Sequence, residues 1–277
     1  PTVLKLLYDN QFLYVGIICT SMRGSFLSST LRRDFNTDGS DDITLIFDTF
    51  NDKNNAFFFG INTAGVRREG LISEGGEELK DFSLHWDNKW SGKTQVNGST
   101  WTAELMIPLK TLRFKKGGQS WRFSAYRYDS QTNERSSWVP VPRNESIFNL
   151  SFMGILEFEH PLPASGSNIS LIPFARAGVA KSPAADYNYD GRIGMDAKIS
   201  INSGLNLDVT FNPDFSQVEV DRQITDLSRF EILYPEQRQF FLENADLFGS
   251  FGASKINPFF SRRIGVVRDE NTGTFRE

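Results

Sequence analysis

Ile43-Thr-Leu-Ile-Phe-Asp48, then Asn51-Asp-Lys-Asn-Asn55, then Ala56-Phe-Phe-Phe-Gly-Ile61: two apolar runs flank a block of turn formers. Each run, mostly apolar or β-branched, too short for a helix and set beside Asn and Asp, reads as a buried strand. The intervening residues read as the turn that reverses the chain. The same texture extends outward. Phe12-Leu-Tyr-Val-Gly-Ile-Ile18 follows the turn pair Asp9-Asn10, and Val3 to Leu7 is strand-like before it. Trp101 to Ile107 alternates strictly, with Trp101, Ala103, Leu105 and Ile107 on one side and Thr102, Glu104 and Met106 on the other. Trp121 to Tyr128 alternates in the same way, which predicts that Trp101 and Trp121 are core residues. Short strands with frequent turns predict a β-sandwich. The run Glu159-His-Pro-Leu-Pro-Ala-Ser-Gly-Ser167 breaks this pattern, so the sandwich is expected over residues 1–163.

Composition agrees and excludes several classes. The chain has 277 residues, 39% hydrophobic and 13% aromatic, with 25 Phe. Few aliphatics with many aromatics favour strands over a helical bundle. The net charge is −4, and basic residues do not outnumber acidic ones in either half, so the electrostatic footprint of a nucleic-acid binder is missing. A single cysteine, Cys19, rules out an internal disulfide framework and a cysteine-rich metal cluster. Phe12 to Cys19 is the longest apolar run, well short of the roughly 20 residues of a spanning helix. The chain begins in strand-like sequence and ends without terminal character, which predicts a piece of a longer protein.

Residues 164–277 have another texture. From Arg192 to Asn202, Ile193, Met195, Ala197, Ile199 and Ile201 alternate with polar or small residues. After the turn Asn202-Ser203-Gly204, Leu205, Leu207, Val209 and Phe211 alternate against Asn206, Asp208 and Thr210. Such a hairpin fits a transmembrane barrel and fits equally a soluble antiparallel sheet with one wet face. The stretch 212–252 is too long for an ordinary connection and mixes charge with Phe; Asp214, Glu219, Asp221 and Arg222 open it. It is expected to form a plug in a polar lumen, or a platform for a partner.

Long motifs give these patterns a relative. Asn212-Pro-Asp-Phe-Ser-Gln-Val-Glu-Val-Asp221, Leu227-Ser-Arg-Phe-Glu231, Tyr234-Pro-Glu-Gln-Arg-Gln-Phe-Phe-Leu-Glu-Asn-Ala-Asp-Leu-Phe248 and Pro258-Phe-Phe-Ser-Arg-Arg-Ile-Gly265 resemble a family of Bacteroidota outer-membrane proteins. In the first half, Leu7-Tyr-Asp-Asn-Gln-Phe-Leu-Tyr-Val-Gly16, Phe47-Asp-Thr-Phe-Asn-Asp52, Ile107-Pro-Leu-Lys-Thr-Leu-Arg-Phe114 and Trp138-Val-Pro-Val-Pro-Arg143 resemble it too. The resemblance implies an all-β chain. A sandwich similar to family 9 carbohydrate-binding modules comes first, without its usual opening strand upstream of Pro1. The first strands of an outer-membrane β-barrel domain of unknown function follow. It further implies glycan binding at the Gram-negative envelope, membrane lipid and envelope proteins as partners, and a periplasmic N-terminal domain.

Candidate residues follow from chemistry. Sugars need aromatic faces with polar groups beside them; Trp86 and Trp90 lie in polar, loop-like sequence, with packing at the sandwich edge as their rival role, and Trp138, beside Ser136, Ser137 and Pro140, is a third candidate whose sequence fits either role. Asp34, Asn36, Asp38 and Asp42 flank a Gly in the manner of half a calcium loop, but position twelve would be Leu45, so this is no EF-hand. Structural Ca2+ is the one cofactor the resemblance suggests, and an ion-free polar loop is the alternative. Asp186-Tyr-Asn188-Tyr-Asp190-Gly191 repeats the pattern and is expected to be a solvated loop tip. For catalysis, Glu74, Glu77, Glu78 and Asp81 cluster in a Gly-rich loop, but no nucleophile elbow, HExxH or phosphate loop accompanies them, and His85 and His160 stand far apart. Non-catalytic glycan binding is therefore preferred over its alternatives, glycoside hydrolysis and a structural role in an envelope assembly.

Overall fold

Alternation dictates the first sheet. The computed structural model describes residues 1–21, 24–37, 39–78, 81–84, 86–163, 169–181, 187–202 and 205–213, together with 241, 261, 267–268 and 275–276. Within them, β1 (Thr2–Tyr8), β2 (Phe12–Thr20), β7 (Ser91–Asn97) and β8 (Thr100–Pro108) form an antiparallel sheet in the order β1-β2-β8-β7. Trp101, Ala103, Leu105 and Ile107 of β8 are all buried, as their spacing predicts, and Leu13, Val15, Ile17 and Cys19 of β2 share their face.

The second sheet contains the runs quoted at the outset. β3 (Asp42–Asp48) and β4 (Ala56–Asn62) pair antiparallel, Phe47 opposite Phe57. β5 (Arg67–Ile72), β6 (Phe82–Ser83), β9 (Ser120–Asp129) and β10 (Glu134–Ser137) complete the order β10-β9-β3-β4-β5-β6, and β11 (Gly154–Glu157) also pairs with β9. Ile43, Leu45 and Phe47 of β3, Phe57, Phe59 and Ile61 of β4, and Trp121, Phe123 and Ala125 of β9 close the core against β2 and β8. Trp101 and Trp121 are core residues, as expected.

β3 and β4 are buried on both faces because a second apolar layer covers the outside of their sheet. Ile46, Ala56, Phe58, Ile72 and Tyr126 lie under Leu150 and Met153, with Phe82, Leu84, Ile147 and Phe148 packed alongside. That is why these strands read as continuous apolar runs rather than alternating ones.

The chain divides into two compact units, Pro1–Ile169 with Ile199–Leu207, and Ser170–Lys198 with Asp208–Glu277. β12 (Ile169–Lys181), β13 (Tyr187–Asn202) and β14 (Leu205–Phe211) form a three-stranded sheet in sequence order; β15 (Val267–Arg268) and β16 (Phe275–Arg276) pair separately. β13 runs five residues further upstream than its apolar alternation suggests. Asp190 is therefore not at a solvated loop tip: it lies within a strand and pairs with Arg176 at 2.8 Å. The sheet carries its large apolar side chains on its more exposed face. Ile193 and Phe211 are 76% and 71% exposed and Leu171, Val179, Tyr189 and Val209 are exposed with them, whereas Asp190, Asp196, Lys198, Asp208 and Thr210 are half-covered. Thr210 donates to Asp196 at 2.7 Å across this polar face. The described strands do not close into a barrel, and no described helix is long and apolar enough to cross a membrane. Asp214, Glu219, Asp221 and Arg222, the start of the expected plug, lie outside the described residues.

Candidate functional site

Cross-strand register builds a polar row on the outer face of the second sheet. Tyr126, Thr44, Gly60 and Arg68 stand side by side on β9, β3, β4 and β5, and Tyr128, Asp42 and Asn62 form the next row. Arg68 is buried, with its guanidinium 5.0, 5.4 and 5.6 Å from the rings of Phe82, Phe58 and Phe35. Phe82 stacks on Phe58 at 4.0 Å and on Phe148 at 4.5 Å, which roofs the row. Gly60 leaves the space that Arg68 fills. A Cβ there would stand 2.6 Å from Arg68 Cγ and 2.8 Å from Thr44 Oγ1. Gly60→Ala is thus expected to destabilise the protein by about 1–3 kcal/mol, the usual cost of overpacking, read as a lowered midpoint in urea; an unchanged midpoint would contradict this packing.

Asp42, in the next row, is fully buried, with no well-formed hydrogen bond to either carboxylate oxygen. Burial pushes its pKa up to about 8, more than the pull of Arg68 and Arg135 offsets. Burial therefore favours the neutral form of Asp42, and the rings of Phe82, Phe58 and Phe35 surround the Arg68 guanidinium. Burial likewise raises the pKa of Tyr126. The row is a sealed polar layer, closed to ligand in this conformation.

A second cluster lies where β5 approaches the segment 86–91. Arg33 pairs with Glu69, which is wholly buried, and with Asp87 at 3.3 Å. Arg67 donates to the Trp90 carbonyl and lies 5.6 Å over its ring. Trp90 is 5% exposed and meets Phe59 edge-on at 5.5 Å; Trp86 is half-buried, 5.0 Å from Phe57. Both rings are occupied by sandwich packing.

Asp34, Asn36 and Asp42, expected together around an ion, have different surroundings. Asp34 has a buried Oδ1 without a partner and a pKa raised by its own burial and by Glu69. The charges acting on Asp42 are instead Arg68, Arg135 and Asp41. Asn36 is exposed, and Asp38 lies outside the described residues. Among the described residues no three acidic, His or Cys side chains form a metal-binding group.

The third site is lined by Pro1 to Leu4 as well as by residues of β9 and β10. A cleft of about 990 Å³ runs along the flank of the sandwich between β1 and β10. Trp138 forms one wall, 53% exposed, the most exposed tryptophan of the sandwich. Its ring packs on Phe123 at 5.3 Å and over Gly154, where a Cβ would stand 2.5 Å from it, so the indole is held in place rather than loose. Arg127, Asp129, Glu134, Ser136 and Ser137 supply polar groups. Arg127 is fixed by donating to Thr20 O at 3.0 Å, Thr2 Oγ1 at 3.3 Å and Asp129 Oδ2 at 3.3 Å. Asp129 accepts in addition from Gln131 N at 3.2 Å and Thr132 N at 3.4 Å, so it is a fixed acceptor. Sequence reasoning singled out Trp138 and missed Arg127 and Asp129. The available signal was a charged residue at position 127, on the same face of β9 as Trp121, Phe123 and Ala125.

Comparison with known proteins covers the two halves separately. Residues 167–275 match a domain of unknown function, DUF5916. No curated protein matches the chain. Among solved structures, a presumed carbohydrate-binding protein from Bacteroides uniformis is similar at 13% identity and a TM-score of 0.48, over 57% of this chain and 78% of that one. A family 9 carbohydrate-binding module from Caldicellulosiruptor kristjanssonii in complex with glucose is similar at 14% identity and 0.42, over 57% and 76%. The module from the same organism in complex with cellotriose gives 14% and 0.41, over 57% and 75%.

Proposed function

We propose that this protein binds glycans without transforming them, in the flank cleft of its sandwich, and that β12–β14 belong to an outer-membrane barrel that carries the sandwich. One observation supports the binding reading above the others: an indole held half-exposed by Phe123 and Gly154 over a cleft furnished with a guanidinium, two carboxylates and two hydroxyls. A sugar presents an apolar C–H face to such a ring and its hydroxyls to such polar groups. The volume suits a short oligosaccharide rather than a single ring. Asp129, held by Arg127 and the following turn, presents a fixed acceptor to ligand hydroxyls. Equilibrium dialysis against labelled oligosaccharides tests the reading: saturable retention supports it, and no retention by folded protein over a broad panel overturns it.

The membrane reading is supported by the exposed apolar face of β12–β14. Apolar side chains on the open face match lipid, and the Arg176–Asp190 pair on the other face matches a polar lumen. β12 and β13 exceed the roughly 9–11 residues that a tilted barrel strand needs. In fractionated Gram-negative cells the full-length protein is expected in the outer-membrane fraction and to resist extraction by carbonate. Recovery in the soluble fraction would contradict the barrel. In the resulting topology the sandwich faces the periplasm.

A further inference from the structure

A small depression of about 280 Å³ lies beside the start of β7, separate from the flank cleft. Every charged side chain lining it is basic: Arg33, Arg67 and Lys89. Two of the three are held in place, Arg33 by Glu69 and Arg67 by the Trp90 carbonyl and ring. Asn88 and Trp90 line it as well, and their Nδ2 and Nε1 are buried donors without an acceptor. Met106 and Pro108 provide an apolar floor. Carboxylates are near but not in the lining: Glu69 and Asp87 pair with Arg33, and Asp34 lies in their field. They orient the guanidinium and reduce the net positive charge. What the depression offers is therefore three cationic side chains, two of them fixed, beside unpaired buried donors and an apolar patch.

We propose that this depression is a subsite for an acidic sugar residue, whose carboxylate accepts hydrogen bonds from Arg33, Arg67 and Asn88 with Lys89 at the rim, while the ring's C–H face rests on Met106 and Pro108. The inference rests on the glycan-binding reading and names its ligand class: a glycan carrying uronic acid units. Unpaired buried donors favour an acceptor, and charge-assisted bonds to a carboxylate are the stronger kind. The volume holds one ring, as a subsite should.

The test titrates the full chain with oligogalacturonate and with a neutral oligosaccharide of equal length, at low and high salt, for the native protein and for Lys89→Glu. The acidic ligand is expected to bind more tightly at low salt, with Lys89→Glu weakening it roughly tenfold and leaving the neutral ligand unaffected. Added salt should narrow the gap. Equal binding of both ligands, unaltered by Lys89→Glu, overturns this inference and leaves the glycan-binding reading standing. No binding of either ligand overturns both. Competition by inorganic sulfate as strong as by free galacturonate would reduce the depression to a general anion site and overturn the sugar assignment.

Discussion

Asp42→Asn is expected to raise the melting temperature at pH 9 and to leave it nearly unchanged at pH 4. In the native protein the Asp42 carboxyl titrates at about 8, whereas in the unfolded chain it titrates near 3.9. Between these values the unfolded state has released the proton and the folded state still holds it. Native stability therefore falls as pH rises from about 4 to about 8, and the loss is complete above the folded pKa. Asparagine has nearly the shape of the neutral acid and cannot ionise, so the variant does not suffer this loss. The gap between variant and native protein should open across that window and reach a few kcal/mol, at most about 6. For a unit of this size that is roughly 5–15 °C in melting temperature. Thermal unfolding followed by circular dichroism from pH 4 to 9 reads it directly. An Asp42→Asn variant that is less stable than native at pH 9 would show instead an ionised Asp42 paired with Arg68, and the sealed neutral layer would be the wrong description.

Trp138→Ala should abolish most glycan binding with little change in stability. The indole is 53% exposed, so truncation removes a platform more than a core residue. A dominant aromatic contact is worth about 2 kcal/mol or more, which corresponds to a loss of roughly 30-fold or more in affinity. Trp90→Ala is the contrasting case. Its ring is 5% exposed against Phe59, and removing it should cost about 3–5 kcal/mol of folding stability. Comparing the two variants by titration and by urea unfolding separates a binding tryptophan from a packing one. Full affinity in a folded Trp138→Ala variant would remove the flank cleft from consideration.

Much of the sandwich was legible in the sequence because side-chain period and strand geometry are locked together. The alternation from Trp101 to Ile107 reappears as the buried and the more exposed face of β8, and the runs at residues 43–48 and 56–61 pair as read. What the sequence did not reveal depends on distant parts of the chain. The roof of Phe82 and Phe148 over β3–β5 comes from segments on either side of β7–β9, and no local periodicity reports such a layer. The same holds for the candidate site. Trp86 and Trp90 look loop-like because their neighbours are polar, yet their rings turn inward to Phe57 and Phe59. Trp138 differs in that Phe123 and Gly154 hold it at the surface. Asp34 and Asp42 are eight positions apart and fit an ion-binding loop as text. Residue 42 has by then entered β3 and turned to the outer face, a change of direction that spacing alone does not reveal.

The most direct measurement is calorimetric titration of the unmodified protein with neutral and acidic oligosaccharides, with and without calcium. The account predicts saturable binding of a neutral oligosaccharide at one site per chain, with that binding lost in Trp138→Ala. A folded, calcium-replete protein that takes up no sugar from either class would contradict it and leave the sandwich as a structural part of an envelope assembly.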